Sequence, residues 1–192
     1  MNIFPKILSS VLILTALASV APTMDAQRKL AVVEFSADFM REKPDYAAEL
    51  GNQVLMGTVV EVLDQSGYWV KIKSPEPYTA WVNEMGLVQM SEEEIKDYLE
   101  APKYICTASF THIYSEPSED SRIVSDFVLG DIVRIMYGVK THSSGRHKGY
   151  EEGRAVLSRR FVGVVLPSGK TGYVPAKDVA VFYKWAKERK DK

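Results

Sequence analysis

The chain has 192 residues and one cysteine, Cys106. A lone thiol cannot close an internal disulfide, so no covalent staple holds this fold. Histidine is also scarce. His142 and His147 stand five apart, and no nearby carboxylate or cysteine set completes a metal site. There is no glycine-rich phosphate loop and no Ser-His-Asp arrangement, and no carboxylate pair stands out for hydrolysis. Neither sign of charge dominates. The 24 basic and 25 acidic residues leave a net charge of −1, which gives no bias toward nucleic acid or an anionic membrane. No apolar run reaches the roughly 20 residues of a membrane-spanning helix. The sequence therefore points to no metal, no cofactor, no nucleic-acid partner and no catalytic residue.

What is present is ordinary core material, 46% hydrophobic, with ten tyrosines, three tryptophans and many valines that suit half-buried strands. Residues 1–26 read as a secretory signal. Lys6 is its positive start, Ile7 to Val20 its mainly apolar stretch, and small residues follow. Cleavage is expected after Ala26, with Ala18 and then Ala21 as alternatives. No cysteine near these positions could take a lipid anchor, so the expected mature chain is exported, periplasmic or extracellular, and without a transmembrane anchor.

The strongest internal pattern is a repeat. Pro44 and Gly57 recur as Pro117 and Gly130, both shifted by 73 residues. Leu55-Met56-Gly57-Thr58-Val59-Val60 aligns with Val128-Leu129-Gly130-Asp131-Ile132-Val133, and Trp81-Val82 aligns with Tyr173-Val174. A period this long implies two copies of a small domain rather than a solenoid of units of roughly 20–50 residues. The first copy is expected over 30–90 and the second over 104–182. Gly57 to Trp81 is 24 residues and Gly130 to Tyr173 is 43, so the second copy carries 19 extra residues, expected near 137–160.

Local patterns predict the elements. Lys29 to Phe35, Leu55 to Leu63, Tyr68 to Ile72 and Tyr78 to Val82 read as strands of the first copy, with Gly67 in a turn. Asp38 to Gly51 reads as polar and turn-rich. Ser91-Glu-Glu-Glu94 is a capping box, so a helix is expected over about 92–100 in a linker spanning 91–103. In the second copy, Pro167-Ser-Gly169 marks a hairpin between Phe161–Leu166 and Thr171–Val174. A charged tail or helical connector follows over 183–192. Short strands with frequent turns predict an all-β fold, two small barrels in tandem joined by a short helix.

Met40, Arg41, Pro44, Leu55, Gly57, Gly67, Trp69, Trp81 and Val82 resemble the motif run of bacterial SH3-like domains, with Ala80 in place of a glycine. In the second copy Pro117, Gly130, Gly172, Tyr173 and Val174 fit, while Tyr114 replaces the arginine. The tandem arrangement over about 30–185 is similar to the N-terminal half of NlpC-type cell-wall cysteine peptidases, including dipeptidyl peptidases that cut γ-D-glutamyl–diamino acid bonds. The resemblance implies that Val179 to Trp185 leads toward a cysteine peptidase domain, whose Asp-Cys-Ser-Gly motif this sequence lacks. Cys106 lies in a strand-like stretch with no adjacent base or helix start to lower its pKa, and reads as a small core residue.

The resemblance places an aromatic side of a substrate cleft on Tyr78, with Tyr46 second. Trp81 joins Tyr78 as a candidate, the alternative being that Trp69 and Trp81 fill the barrel core. Arg41 can bind a wall-peptide carboxylate or pair internally with Asp38 or Glu49. The stretch Tyr137 to Arg160 carries a net charge of +4, either a solvated loop or a contact to anionic polymer. Two functions follow from the resemblance. One is an exported, non-catalytic module that binds peptidoglycan, wall peptides or a wall-associated partner. The other is the targeting and substrate-gating half of a γ-D-glutamyl–diamino acid endopeptidase. A third possibility is a protein–protein adaptor.

Overall fold

The computed structural model describes residues 28–136 and 160–190. The expected signal segment, residues 1–26, and most of the expected insertion near 137–160 lie outside the described residues.

Among the described residues, fourteen strands form two seven-stranded antiparallel sheets. The first contains β1 (Leu30–Val33), β2 (Ala37–Arg41), β3 (Leu50–Leu55), β4 (Val59–Ser66), β5 (Trp69–Lys73), β6 (Thr79–Asn83) and β7 (Leu87–Met90). Its order is β3-β2-β6-β5-β4-β1-β7. Helix α1 (Glu92–Glu100) follows, and then the second sheet. That sheet contains β8 (Lys103–Cys106), β9 (Phe110–Tyr114), β10 (Ile123–Val128), β11 (Ile132–Ile135), β12 (Phe161–Val165), β13 (Thr171–Pro175) and β14 (Val179–Val181). Its order, β10-β9-β13-β12-β11-β8-β14, is that of the first sheet strand for strand. The correspondence reaches irregular detail. The β2–β3 ladder steps past Gly51 and the β9–β10 ladder past Val124, positions related by the same 73-residue shift. From β12 onward the shift is 92 residues, so Trp69 corresponds to Phe161 and Gly86 to Asp178. Helix α2 (Phe182–Lys190) closes the described chain. Among the described residues no helix is long and apolar enough to cross a membrane.

Alternation along the strands builds each core. Ala31, Val33, Met40, Val54, Val60, Val70, Ile72, Ala80 and Val82 fill the first barrel. Val32, on the opposite side of β1, packs with Ile95 and Tyr98 of α1. The expected capping box is present: Ser91 Oγ accepts from Glu94 N–H, and the Glu94 carboxylate accepts from Ser91 N–H.

The second core contains Cys106, Ile113, Phe127, Val133, Val162, Val164 and Val174, together with Met56 from the first module. Met56 is fully buried there because it sits at the tip of the β3–β4 turn, which is pressed into the second module. Asp131 binds that tip. Its Oδ2 accepts from Ser36 Oγ at 2.7 Å and its Oδ1 accepts from Met56 N–H at 3.1 Å. Ile132 N–H donates to the Met56 carbonyl. Gly57, at φ +86°, completes the turn, and a Cβ there would lie 2.2 Å from the Ile132 carbonyl oxygen. A second clasp joins Glu34 to Ser168, whose N–H and Oγ both donate to the carboxylate, at 2.8 and 2.6 Å.

Three local expectations are corrected. The polar stretch after Asp38 begins with a strand, β2, whose inward positions are Asp38 and Met40. The strand expected from Leu55 splits at Gly57, because that residue's positive φ turns the chain between β3 and β4. The tryptophans do not fill the barrel core. Val70 and Ile72 take the inward positions of β5, and Ala80 and Val82 those of β6, so Trp69 and Trp81 face outward.

Candidate functional site

Two neighbouring surfaces of the first module hold the side chains singled out in the sequence. The outer sheet face carries Arg41 and Trp81, paired across β2 and β6. Lys71 is opposite Trp81 on β5, with its Nζ 5.9 Å from the ring centroid. Directly opposed residues share a face, so Arg41, Trp81 and Lys71 form one cationic and aromatic patch. Arg41 Nη1 donates to the Ala48 carbonyl at 2.7 Å, which ties the loop 42–49 to the sheet. Asp38 points into the barrel rather than toward Arg41. Trp69 lies on the same outer face but is buried beneath Tyr46. The two rings meet edge-on at 4.8 Å, and Tyr46 Oη accepts from Asn83 Nδ2 at 2.8 Å.

Tyr78 lies around the edge from this face. Its backbone joins the turn closed by Ser74, and its ring packs partly against the inner core. Its hydroxyl donates to Glu42 Oε1 at 2.8 Å. The pair sits over Gly51, the residue the ladder steps past. A Cβ at Gly51 would lie 2.0 Å from Tyr78 Oη and 2.7 Å from Glu42 Oε1. The Glu42 hydrogen bond, with some burial and the charges of Glu42 and Glu49, raises the Tyr78 pKa, so the phenol stays a donor at neutral pH. Glu42 was not among the residues singled out in the sequence. The signal for it is spatial, since 36 residues separate it from Tyr78.

This arrangement offers an acidic and phenolic clasp at the edge and a cationic, aromatic face beside it. It has the chemistry to hold an ammonium or hydroxyl group at one point and a carboxylate at another. It holds no nucleophile. Cys106 is fully buried, and burial pushes its thiol up to about 11. Among the described residues no group of three His, Cys, Asp or Glu side chains is placed to hold a metal.

Residues 36–88 match the family model of the bacterial SH3 domain, so the first module is a bacterial SH3 domain. No curated protein matches the chain. Among solved structures, an NlpC/P60 family protein from Bacillus cereus is similar at TM-score 0.56 and 18% identity, over 79% of this chain and 55% of that one. An NlpC/P60 endopeptidase from Photobacterium damselae subsp. piscicida is similar at TM-score 0.47 and 12% identity, over 79% of this chain and 33% of that one. The B. cereus likeness establishes the fold, and this chain spans about half the length of that protein.

Proposed function

We propose that this is an exported cell-envelope module that binds peptidoglycan stem peptides through its first barrel, with residues 1–26 as the export signal. The observation that carries this reading is the exposed Glu42–Tyr78 clasp over Gly51, beside the Arg41–Lys71–Trp81 face. Stem peptides carry free carboxylates, amines and short aliphatic groups. The clasp takes the amine, Arg41 the carboxylate, and the Trp81 ring the aliphatic part. Tyr46 serves as a support, holding Trp69 in place. Co-sedimentation of the mature protein with purified sacculi tests the reading. Retention that falls in Glu42→Gln and Arg41→Ala variants is expected. A folded protein that stays in the supernatant at physiological salt defeats it.

A second reading rests on the 55% coverage of the B. cereus NlpC/P60 protein. In it, the two modules are the substrate-gating half of a γ-D-glutamyl–diamino acid endopeptidase, and the same clasp orients the peptide for a cysteine peptidase domain. The mass of the protein in its source cells separates the two readings. Excess mass of one further domain, roughly 100–150 residues, supports the second.

A further inference from the structure

The two modules share a loop backbone but differ in what that loop does. In the first module, Glu42 N–H donates to Glu49 O, Asp45 N–H to Lys43 O and Ala48 N–H to Asp45 O. In the second module, Ser115 donates to Arg122, Ser118 to Glu116 and Ser121 to Ser118, the same three bonds 73 residues on. Residue positions in the two loops therefore correspond one to one.

Tyr46 corresponds to Glu119, Trp69 to Phe161 and Asn83 to Pro175. In the first module, Tyr46 leans over Trp69 and is tied to Asn83, so the loop closes down on the sheet. In the second module, Glu119 has no ring to lay on Phe161, and Pro175 has no side-chain amide to donate to it. A groove of about 560 Å³ lies at that place, lined by Pro117, Glu119, Asp120, Arg160, Pro175 and Lys177 together with Phe161. Its size falls within the range typical of small-ligand sites, roughly 300–1,000 Å³.

The charges in this groove are sorted by element. Glu119 and Asp120 are on the loop side. Lys177 follows β13 and Arg160 precedes β12, on the sheet side. Pro117, Pro175 and the buried Phe161 supply its apolar lining. A uniformly charged polymer would meet repulsion from one wall, whereas a short ligand with a positive and a negative group matches both.

We propose that this groove is a second ligand site, taking a short zwitterionic peptide. The ammonium faces Glu119 and Asp120, the carboxylate faces Lys177, and the aliphatic part lies over Pro117 and Pro175. The site is separate from the Glu42–Tyr78 clasp and does not depend on wall binding by the first module.

The test uses the full mature chain and the tripeptide Ala-γ-D-Glu-Lys with free ends, titrated by calorimetry and by backbone amide NMR. Shifts are expected at Glu119, Asp120 and Lys177. Glu119→Tyr, which installs the first module's residue at an exposed position, and Lys177→Ala are each expected to weaken binding tenfold or more. Acetylating both amino groups of the peptide and amidating both of its carboxylates is expected to weaken it similarly. Wild-type affinity in both variants, shifts confined to the first module, equal binding of the blocked peptide, or no binding each overturns the proposal. Intact sacculus binding alongside such a result leaves the proposed function standing. Loss of sacculus binding with groove binding retained removes only the proposed function.

Discussion

Ser36 Oγ lies 2.7 Å from Asp131 Oδ2, a hydrogen bond between residues 95 positions apart that joins the two modules. Asp131 is fully buried and also accepts from Met56 N–H and, within its own turn, from Val128 N–H at 2.8 Å. Its counterpart in the first module is Thr58, so the clasp is one-sided and sets which turn inserts into which module. Asp131→Ala leaves the buried Ser36 hydroxyl and the Met56 N–H without this acceptor. It should destabilise the protein by about 1–3 kcal/mol in urea unfolding. An unchanged midpoint would mean that the modules dock by other means.

The same carboxyl makes stability depend on pH. Burial pushes Asp131 up to about 7 against three hydrogen bonds that favour its charged form, and burial pushes Asp38 up to about 6. Both folded values lie above the 3.8 of an unperturbed aspartate, so the folded state binds protons more tightly than the unfolded chain. The stability these groups contribute is present below about pH 4 and is lost as pH rises to 7. The urea midpoint should therefore carry a falling contribution between pH 5 and 7.5, and Asp131→Asn should flatten it. A slope that is the same in wild type and variant rules Asp131 out as its source.

Gly57 and Gly67 form a matched pair of controls. Both have positive φ, +86° and +60°. A Cβ at Gly67 meets nothing within 4 Å, whereas at Gly57 it meets the Ile132 carbonyl at 2.2 Å. Gly67→Ala should cost about 1 kcal/mol from backbone strain alone. Gly57→Ala should cost more, and should also loosen the docked modules, seen as a larger radius of gyration in small-angle scattering. Equal effects on stability and radius would disprove the close approach.

Met56 belongs to the first module by sequence and to the second by packing. Met56→Ala should destabilise by about 2–5 kcal/mol, as for other large-to-small changes in a core. The loss should appear in probes of the second module as well as the first. A Trp69 signal that shifts while the second module's amide exchange does not would place Met56 elsewhere.

Cys106 should resist modification by an aromatic disulfide reagent at pH 8 in the native protein and react rapidly in 6 M guanidinium, roughly the concentration that unfolds most domains. Burial and the raised thiol pKa act in the same direction. Rapid native labelling would show that the second core opens.

The repeat, the capping box, the Pro167–Gly169 hairpin and the buried Cys106 were legible in the sequence because each follows from local chemistry or from direct comparison of two segments. Strand β2 was not, because an aspartate occupies an inward position and disguises the alternation. Asp38 fits there since Gly86 leaves room: a Cβ on Gly86 would lie 2.0 Å from Asp38 Oδ2. In the second module the same two places hold Thr111 and Asp178, with Thr111 Oγ1 donating to the Asp178 carboxylate at 2.9 Å. The carboxylate has moved from a strand to the 3-10 turn before β14 while keeping its location, an exchange no single-segment reading reveals. The alternative that put the tryptophans in the core rested on their size, while strand parity gave those inward places to Val70, Ile72, Ala80 and Val82.

Local sequence pattern was enough for the strand-rich class, the two sheets and the helix between them. These depend on periodicity, turn residues and residue types, which act over a few positions. Tertiary structure alone decided that Glu42 meets Tyr78, that Met56 completes the other module's core, and that Tyr46 closes a groove which remains at Glu119. Those outcomes depend on strand pairing and docking between residues tens of positions apart, where small differences in side-chain size and hydrogen bonding select the partner.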